Sequence, residues 1–228
     1  MQKRFDTGRE ILKWIAIVTM TIDHIGAVLY PEHIILRMIG RLAFPIFSYL
    51  LVLGVESTRN VRSYFIRLFL FALISHVPFS LALGYNPFNL LDYRLNIFFT
   101  LAIGVIILQR PLLIIIPFTA ALFLNVDFGV YGFVLITFTG FLKENKNMGI
   151  LSLIILSFIS LLLWETQIYA IFAIPLVLLH MNGYFTKWIT KRGNENEKII
   201  YPFWRKYFFY AYYPLHLTIL YLIKMNFF

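Results

Sequence analysis

The sequence predicts an all-α protein, a polytopic transmembrane helix bundle of about nine spans with its N-terminus in the cytoplasm. Three observations carry this prediction. Of 228 residues, 60% are hydrophobic and 14% are charged, whereas a soluble domain has about 45–50% apolar and about 25% charged residues. Apolar runs long enough to cross a bilayer follow one another, and basic residues cluster in alternate connections between them. The solvent for most of this protein is therefore lipid.

Each predicted span is a mostly apolar run near the length of about 20 residues that a transmembrane helix needs. The runs are continuous rather than alternating, which argues against a β-barrel. The fourth to sixth are short, and two of them can be re-entrant segments instead, so the count can change by one or two. The predicted spans are 12–30, 34–55, 64–83, 95–108, 112–124, 129–142, 149–164, 166–181 and 207–223.

The first span resembles a signal peptide, because a basic start precedes an apolar stretch. Asp23 and His24 interrupt that stretch and no small-residue cleavage site follows, so we expect a retained span. Before the last span lies a polar segment, 182–206, with KRGNENEK at its centre. It is too short for a domain, and we predict one integral-membrane domain, 1–228, with a cytoplasmic connector at 182–206.

Lysine and arginine positions set the predicted orientation, since cytoplasmic loops carry the excess of both. The opposite turns contain Glu32, Asp92, Asp127 and Glu165. We therefore predict an odd number of spans, a C-terminus outside and a multi-pass cell-membrane protein. The net charge of +9 is dispersed over several loops, so we expect no nucleic-acid partner. Sixteen of the twenty basic residues fall on the cytoplasmic side: Lys3, Arg4, Arg9, Lys13, Arg59, Arg62, Arg67, Arg110, Lys143, Lys146, Lys187, Lys191, Arg192, Lys198, Arg205 and Lys206.

The densest polar cluster within the spans lies on the first helical hairpin. Ionisable groups at membrane depth are costly and mark candidate functional sites. A rise of 1.5 Å per residue puts His24, Arg37 and Arg41 at similar depth, roughly 5–11 Å from the outer turn. The two arginines are four residues apart and share a helix face. With Asp23 as one counter-charge they leave a positive centre that favours a phosphate, a carboxylate or a developing oxyanion; purely structural ion pairing is the alternative.

His24 has three interpretations. It can be a hydrogen-bonded packing residue, a metal ligand or a neutral general base. The chain has no cysteine and no HxxH or HxxxH pair near His24, so we expect no metal. Sequence neighbours on a helix point about 100° apart, so Asp23 can pair with Arg37 or Arg41 instead of His24.

Other polar residues lie in or beside apolar spans. His180 lies near a span end, where interfacial solvation explains it. Prolines can unwind a span and free backbone groups, and His216 lies close to Pro214. The further candidates are Arg67, His76, Asn96 and His216, and the prolines are Pro78, Pro175 and Pro214.

Four stretches in order resemble the TraX family, which is named for the conjugation protein that acetylates pilin. They are LKWIAIVTMTIDHIGAVLYP, LRMIGRLAFPIFSYLLVLGVESTRNVRSYFIRLFLFALISHVPF, NIFFTLAIG and FYAYYPLHLTIL. The middle, 111–181, matches only as generic apolar spans. The resemblance implies nine to eleven spans, His24 as catalytic base with Asp23 beside it, and Arg37 and Arg41 as arginines that hold acyl-CoA or polarise its carbonyl. Family members often have an acidic residue where this chain has His76, which argues against an acid role there.

The resemblance further implies an acetyltransferase with acetyl-CoA as acyl donor. The resemblance favours the N-terminal amine of a peptide or pilin-like protein as the acceptor, with a hydroxyl of a cell-envelope molecule as the alternative. Without cysteine a cysteinyl acyl-enzyme is excluded; direct transfer is favoured, with an acyl-histidine intermediate as the alternative. We predict that the residues that bind acyl-CoA or the acceptor substrate are Arg37, Arg41, Arg67, Asn96, His76, His216 and Tyr213. The nucleotide of acyl-CoA should lie near Arg59, Arg62, Arg67, Lys143 and Lys146.

Two other classes of protein explain part of the same pattern. A small polytopic transporter would also have buried arginine, histidine and proline in its spans, although the inverted repeats common in transporters are not visible here. A scaffold without catalysis explains the apolar mass but gives the charges of the first hairpin no role.

Overall fold

The computed structural model describes residues 6–89, 94–110, 125–162, 164–190 and 203–227. These residues are helical throughout their regular structure. The helices are α1 (Thr7–Val28), α2 (Ile34–Gly40), α3 (Ala43–Ser57), α4 (Val61–Leu83), α5 (Ile97–Gln109), α6 (Gly129–Glu144), α7 (Lys146–Ile159), α8 (Ala173–Met181), α9 (Tyr184–Thr190) and α10 (Phe203–Phe227). Two 3-10 segments, Ser160–Leu162 and Glu165–Phe172, connect α7 to α8.

The all-α prediction is confirmed within this described part. Three helical stretches are long and apolar enough to cross a membrane, namely Thr7–Val28, Ile34–Ser57 and Val61–Leu83. Shorter apolar helices follow at Ile97–Gln109, Lys146–Leu162 and Glu165–Met181. The predicted span 112–124 lies outside the described residues. The span count and the orientation remain predictions.

Four local features differ from the predicted elements. The second span is not one helix, because α2 ends at Gly40 and α3 begins at Ala43. The eighth span begins as a 3-10 segment, and helix α9 lies within the predicted connector. Pro78 and Pro214 lie inside continuous helices, so the expected helix break beside His216 is wrong.

Close packing of α1 against α2 fixes the first hairpin. A β-carbon at Gly40 would overlap the Asp23 side chain, so glycine at this position lets the Asp23 carboxyl lie directly on the end of α2. The Arg41 N–H then donates to the carbonyl oxygens of Arg37 and Met38 at 3.1 and 3.3 Å, which forms a turn before α3. The break therefore places Asp23 between two arginines of the next segment.

Short polar side chains set several helix starts. Asp6 accepts from the Arg9 N–H at 3.0 Å at the start of α1, and Asn60 accepts from the Ser63 N–H at 2.9 Å at the start of α4. A side-chain oxygen at this position satisfies a backbone donor that has no partner within the helix. Both starts lie at the same end of the bundle, since Arg9 also donates to Ser57 at 3.0 Å.

The bundle has a buried core and an apolar outer surface. Helix α10 packs against α4 and α1, and α5 packs against α4, α3 and α6. On α4 the side chains of Leu70, Leu73 and Ile74 are more than half exposed. Large apolar side chains turned outwards are costly in water and favourable in lipid. The surface of α4 therefore fits a lipid-facing helix.

Candidate active site

A cavity of about 1090 Å³ runs along α1 between α3, α4, α5 and α10. Ligand pockets in proteins span about 300–1,000 Å³, so this one has room for a large ligand. Its α1 lining extends from Arg9 to Ala27, a length of about 27 Å at the helical rise. Apolar side chains such as Met20, Leu51 and Leu68 line its middle part.

The two ends of the cavity are both charged but differ in composition. We use the term basic mouth for the end near the start of α1, which is lined by Arg9, Lys13, Arg59 and Arg67. We use the term charged cluster for the opposite end, which is lined by Asp23, Arg37, Arg41, Arg94 and Asp127.

Asp23 is bound by both arginines of the first hairpin. Its carboxylate accepts from Arg37 Nη1 at 2.7 Å and from Arg41 Nη2 at 2.8 Å. Arg37 also donates to the Asp23 carbonyl oxygen at 3.0 Å, and Arg41 donates to the Gln167 side chain at 3.3 Å. The sequence left open which arginine pairs with Asp23; in the structure both do, and His24 does not.

A second ion pair was not found by sequence reasoning. Arg94 donates to Asp127 at 3.1 Å and to the Tyr85 hydroxyl at 3.2 Å. A backbone bridge between Leu95 and Val126 brings these two residues together from either side of the segment 111–124. In the sequence, the one sign of this ion pair is that Arg94 and Asp127 lie on either side of the apolar run 111–124. The charged cluster thus holds three arginines and two aspartates, a formal charge of one positive.

His24 lines the cavity beside this cluster and is bonded to a second histidine. Its Nδ1 lies 2.8 Å from His216 Nε2, and His216 Nδ1 lies 2.8 Å from the Tyr212 carbonyl oxygen. Both imidazoles are buried, with exposed fractions of 9% and 6%. Among the described residues no group forms a hydrogen bond with His24 Nε2. The sequence predicts His216 as a substrate-binding residue, whereas the structure places it behind His24, outside the cavity lining.

Aromatic side chains form the wall next to His24. The Tyr213 ring packs edge-on against the imidazole of His24 at 5.8 Å and against Phe98 at 5.0 Å. Its hydroxyl is buried and, within the described part of the chain, makes no hydrogen bond of good geometry. At the basic mouth, the Arg67 guanidinium lies 5.6 Å from the centre of the Tyr64 ring.

Three of the predicted substrate-binding residues do not line the cavity: His216, described above, Asn96 and His76. Asn96 is fully buried, donates to the Ala72 carbonyl at 2.7 Å and accepts from the Phe98 N–H at 3.1 Å. It therefore caps α5 and fastens it to α4. His76 Nε2 lies 3.3 Å from the Pro87 carbonyl oxygen. A substrate-binding role for any of the three residues stays a prediction.

The predicted nucleotide contacts divide in the same way. Arg59 and Arg67 line the basic mouth. Lys143 pairs with Glu56 at 3.2 Å and Lys146 donates to Asn182 at 3.1 Å, both outside the cavity lining. Arg9 and Lys13, which sequence reasoning used only for orientation, take part in the lining instead. In the described ranges no group of three histidine, aspartate or glutamate side chains converges as metal ligands would.

A family model and one curated relative match nearly the whole chain. A family model described as TraX protein matches residues 8–224. The probable fimbrial assembly protein FimC, serogroup H1, of Dichelobacter nodosus is 27% identical over 249 residues, which cover 99% of each chain. An uncharacterized protein of Rickettsia prowazekii (strain Madrid E) is 54% identical over 41 residues, 18% of this chain and 16% of that relative. No solved structure matches significantly.

Proposed function

This chain belongs to the TraX family, and from that premise we propose that it is a membrane-embedded acetyltransferase. It moves an acetyl group from acetyl-CoA to an acceptor amine or hydroxyl. The observation that carries the proposal is the single cavity that joins the basic mouth to the charged cluster and His24. The name of the FimC relative favours a peptide amine of a pilin-like protein as the acceptor.

In this proposal acetyl-CoA occupies the cavity from the basic mouth to His24. Arginine binds phosphate through paired N–H groups, so the nucleotide and its phosphates lie at the basic mouth. The pantetheine arm follows the apolar middle. His24 comes fifteen residues after Arg9 on α1, about 22 Å along the helix. With the predicted orientation, the basic mouth opens to the cytoplasm, where acetyl-CoA is present.

His24 acts as the general base in this proposal. Its imidazole removes a proton from the acceptor nitrogen or oxygen as that atom bonds to the acetyl carbonyl carbon. The carbon–sulfur bond then breaks, and the thiolate of CoA takes the proton back from His24. Arg37 and Arg41 lie in the same part of the cavity, where their positive charge stabilises the oxyanion that develops during transfer.

A small transporter is the second candidate. A cavity that reaches from one end of a bundle to a charged cluster near the other end is also typical of a transport path. The two candidates differ in whether CoA binds and whether acetyl groups move to a new molecule.

The first experiment measures binding. The purified protein in detergent is heated with CoA, acetyl-CoA, inorganic phosphate or citrate. A ligand at 100 times its Kd adds about 2.7 kcal/mol of stability, so both CoA compounds raise the melting temperature and the two anions do not. Arg59→Gln weakens this effect, while Lys187→Gln, an exposed lysine outside the cavity lining, does not. Equal shifts with all four compounds would contradict the proposal.

The second experiment measures transfer. Membranes that contain the protein are incubated with acetyl-CoA carrying a labelled acetyl group and are then separated into protein, lipid and polysaccharide fractions. More label than in membranes that lack this protein supports acetyl transfer, and the labelled fraction identifies the class of acceptor. If acetyl-CoA binds and no fraction gains label, the enzyme interpretation is wrong and a CoA-binding role without transfer remains.

A further inference from the structure

We propose that His216 is a positioning residue that fixes the tautomer of His24, so that the free lone pair of His24 lies on Nε2. The inference deepens the proposed function and rests on it, because a tautomer matters only if His24 accepts a proton from substrate. It stands on a chain of three groups joined by two short contacts: the Tyr212 carbonyl, His216 and His24.

The Tyr212 carbonyl oxygen decides which atom donates in each of these two hydrogen bonds. A backbone carbonyl oxygen can only accept a hydrogen bond. His216 Nδ1, at 2.8 Å from the Tyr212 carbonyl oxygen, therefore carries the hydrogen. A neutral imidazole has one N–H, so His216 Nε2 is an acceptor. His24 Nδ1 at 2.8 Å is then the donor, and the lone pair of His24 is on Nε2.

Both imidazole rings must be neutral for this hydrogen-bond direction, and their surroundings favour the neutral form. A buried cation without a counter-charge is costly. Within the described residues no carboxylate contacts either imidazole, and the Asp23 carboxylate is bound to Arg37 and Arg41. A charged His216 would instead donate from both nitrogens, so His24 Nδ1 would accept. The hydrogen of neutral His24 would then lie on Nε2, and Nε2 could not take a proton from the substrate.

Packing of α10 on α1 holds His216 in this position. The Tyr212 ring stacks on the His216 ring at 4.9 Å with an angle of 12° between the planes. The Tyr212 hydroxyl hydrogen-bonds to the Thr21 hydroxyl of α1 at 2.8 Å. Tyr213 packs edge-on against His216 at 5.6 Å. A catalytic histidine whose second nitrogen is held by a buried acceptor keeps the correct tautomer and orientation through the reaction.

Two substitutions separate an acceptor from a mere space-filling group. Glutamine places an amide oxygen near the position of His216 Nε2, so His216→Gln still accepts from His24. His216→Leu fills the space without an acceptor. We expect His216→Leu to lower kcat about 10- to 100-fold with little change in the KM for acetyl-CoA, and His216→Gln to recover most of that loss.

Thr218→Val is the matched control. Thr218 lies on the same helix and donates to the Pro214 carbonyl oxygen four residues earlier at 2.9 Å, and it is outside the cavity lining. Removing this contact tests whether the loss of any hydrogen bond between a side chain and the backbone of α10 lowers kcat. We expect wild-type kcat. Equal losses of kcat in His216→Leu and His216→Gln, with both variants folded, would overturn the inference.

A second readout does not depend on acetyl transfer. Diethyl pyrocarbonate modifies free imidazole lone pairs, and mass spectrometry of peptides measures the rate at His24 in the intact protein without acetyl-CoA. We expect reaction in the wild type and His216→Gln and several-fold slower reaction in His216→Leu. No reaction at wild-type His24, or equal rates in all three, would contradict the pairing. If the rates follow this order and no transfer is found, the pairing stands and the proposed function fails.

Discussion

Two histidines with largely buried side chains, His180 and His24, are bonded in different ways in this bundle. His180 on α8 is bonded at both nitrogens: Nδ1 to the Tyr49 hydroxyl at 3.0 Å and Nε2 to the Asp6 carboxylate at 3.4 Å. His24 on α1 is bonded at Nδ1 to His216, and its ring lines the cavity. His180 and Tyr49 are not part of that lining.

Access to the cavity, more than burial, distinguishes the histidine that we propose as the base from the one that joins helices. With both nitrogens of His180 bonded by protein groups, no lone pair is left for a substrate. Its contacts fasten the start of α1 to α3 and α8, which is a contribution to stability. His24 is bonded at Nδ1 alone among the described residues, and its ring lines the cavity. Loss of His24 should therefore affect rate, and loss of the His180 contacts should affect stability.

The largest expected effect is on transfer in a His24→Ala variant. General base catalysis contributes about 10²- to 10⁴-fold to rate, so we expect acetyl transfer to fall by that factor. The melting temperature should fall modestly, because buried His216 Nε2 loses its hydrogen-bond partner. His180→Leu should show the opposite result, a lower melting temperature with kcat retained. Transfer assays and thermal melts on both variants test the comparison. A folded His24→Ala protein with normal transfer would refute the base assignment.

Asp23→Asn tests whether the aspartate beside His24 acts on the imidazole or on the arginines. Both Arg37 and Arg41 lose their counter-charge in this variant. Removal of one partner from a buried ion pair costs about 3–5 kcal/mol, and partial exposure of Arg37 puts the expected loss of stability at or below the lower end of that range.

The control for Asp23→Asn is the reaction of His24 with diethyl pyrocarbonate. Because His24 is bonded to His216 and not to Asp23, its rate of modification should stay at the wild-type value while the melting temperature falls. A changed rate at His24 without loss of stability would show that Asp23 orients the imidazole after all.

Composition and the helical rise per residue predicted much of the fold and part of the candidate site. Apolar runs between charged turns predicted the helices, and the rise per residue brought His24, Arg37 and Arg41 to one depth. The break after Gly40 was not predictable, because it depends on contact between Gly40 and Asp23 of another helix. Helix periodicity carries no information on such contacts.

The remaining site residues depend on tertiary contacts that local sequence does not encode. Arg94 and Asp127 meet through a backbone bridge across an intervening apolar run. Polarity inside a span also does not separate a cavity-lining residue from a capping one. For this reason Asn96, which caps α5, was predicted beside residues that line the cavity. The hydrogen-bond acceptor of His216 is the backbone carbonyl of Tyr212. Every residue type has such a carbonyl, so the sequence gives no signal for this contact.

A matched pair of tyrosine substitutions sharpens the comparison at a smaller scale. Tyr49→Phe removes the hydroxyl bonded to His180, which costs about 1–2 kcal/mol because a buried nitrogen loses its partner. Tyr213→Phe removes a buried hydroxyl that makes no well-formed bond among the described residues, so stability should not fall. We expect slower acetyl transfer only in Tyr213→Phe. Thermal melts and transfer rates of the two variants, measured together, distinguish a structural from a functional hydroxyl.

The smallest effect is the pH dependence of the Asp6 contact. The hydrogen bond with His180 holds the pKa of the Asp6 carboxyl below its usual value of 3.8. A lowered pKa in the folded state adds stability above the unfolded pKa, and this stability is lost as pH falls through the folded value. Asp6→Asn keeps the helix cap, since asparagine caps as well as aspartate, and removes only the charge. Because Asp6 is 47% exposed, the variant should lose less than about 1 kcal/mol at neutral pH. The difference in melting temperature between wild type and variant should close below the usual aspartate pKa; a difference that stays constant with pH would show that the carboxylate charge does not stabilise the His180 contact.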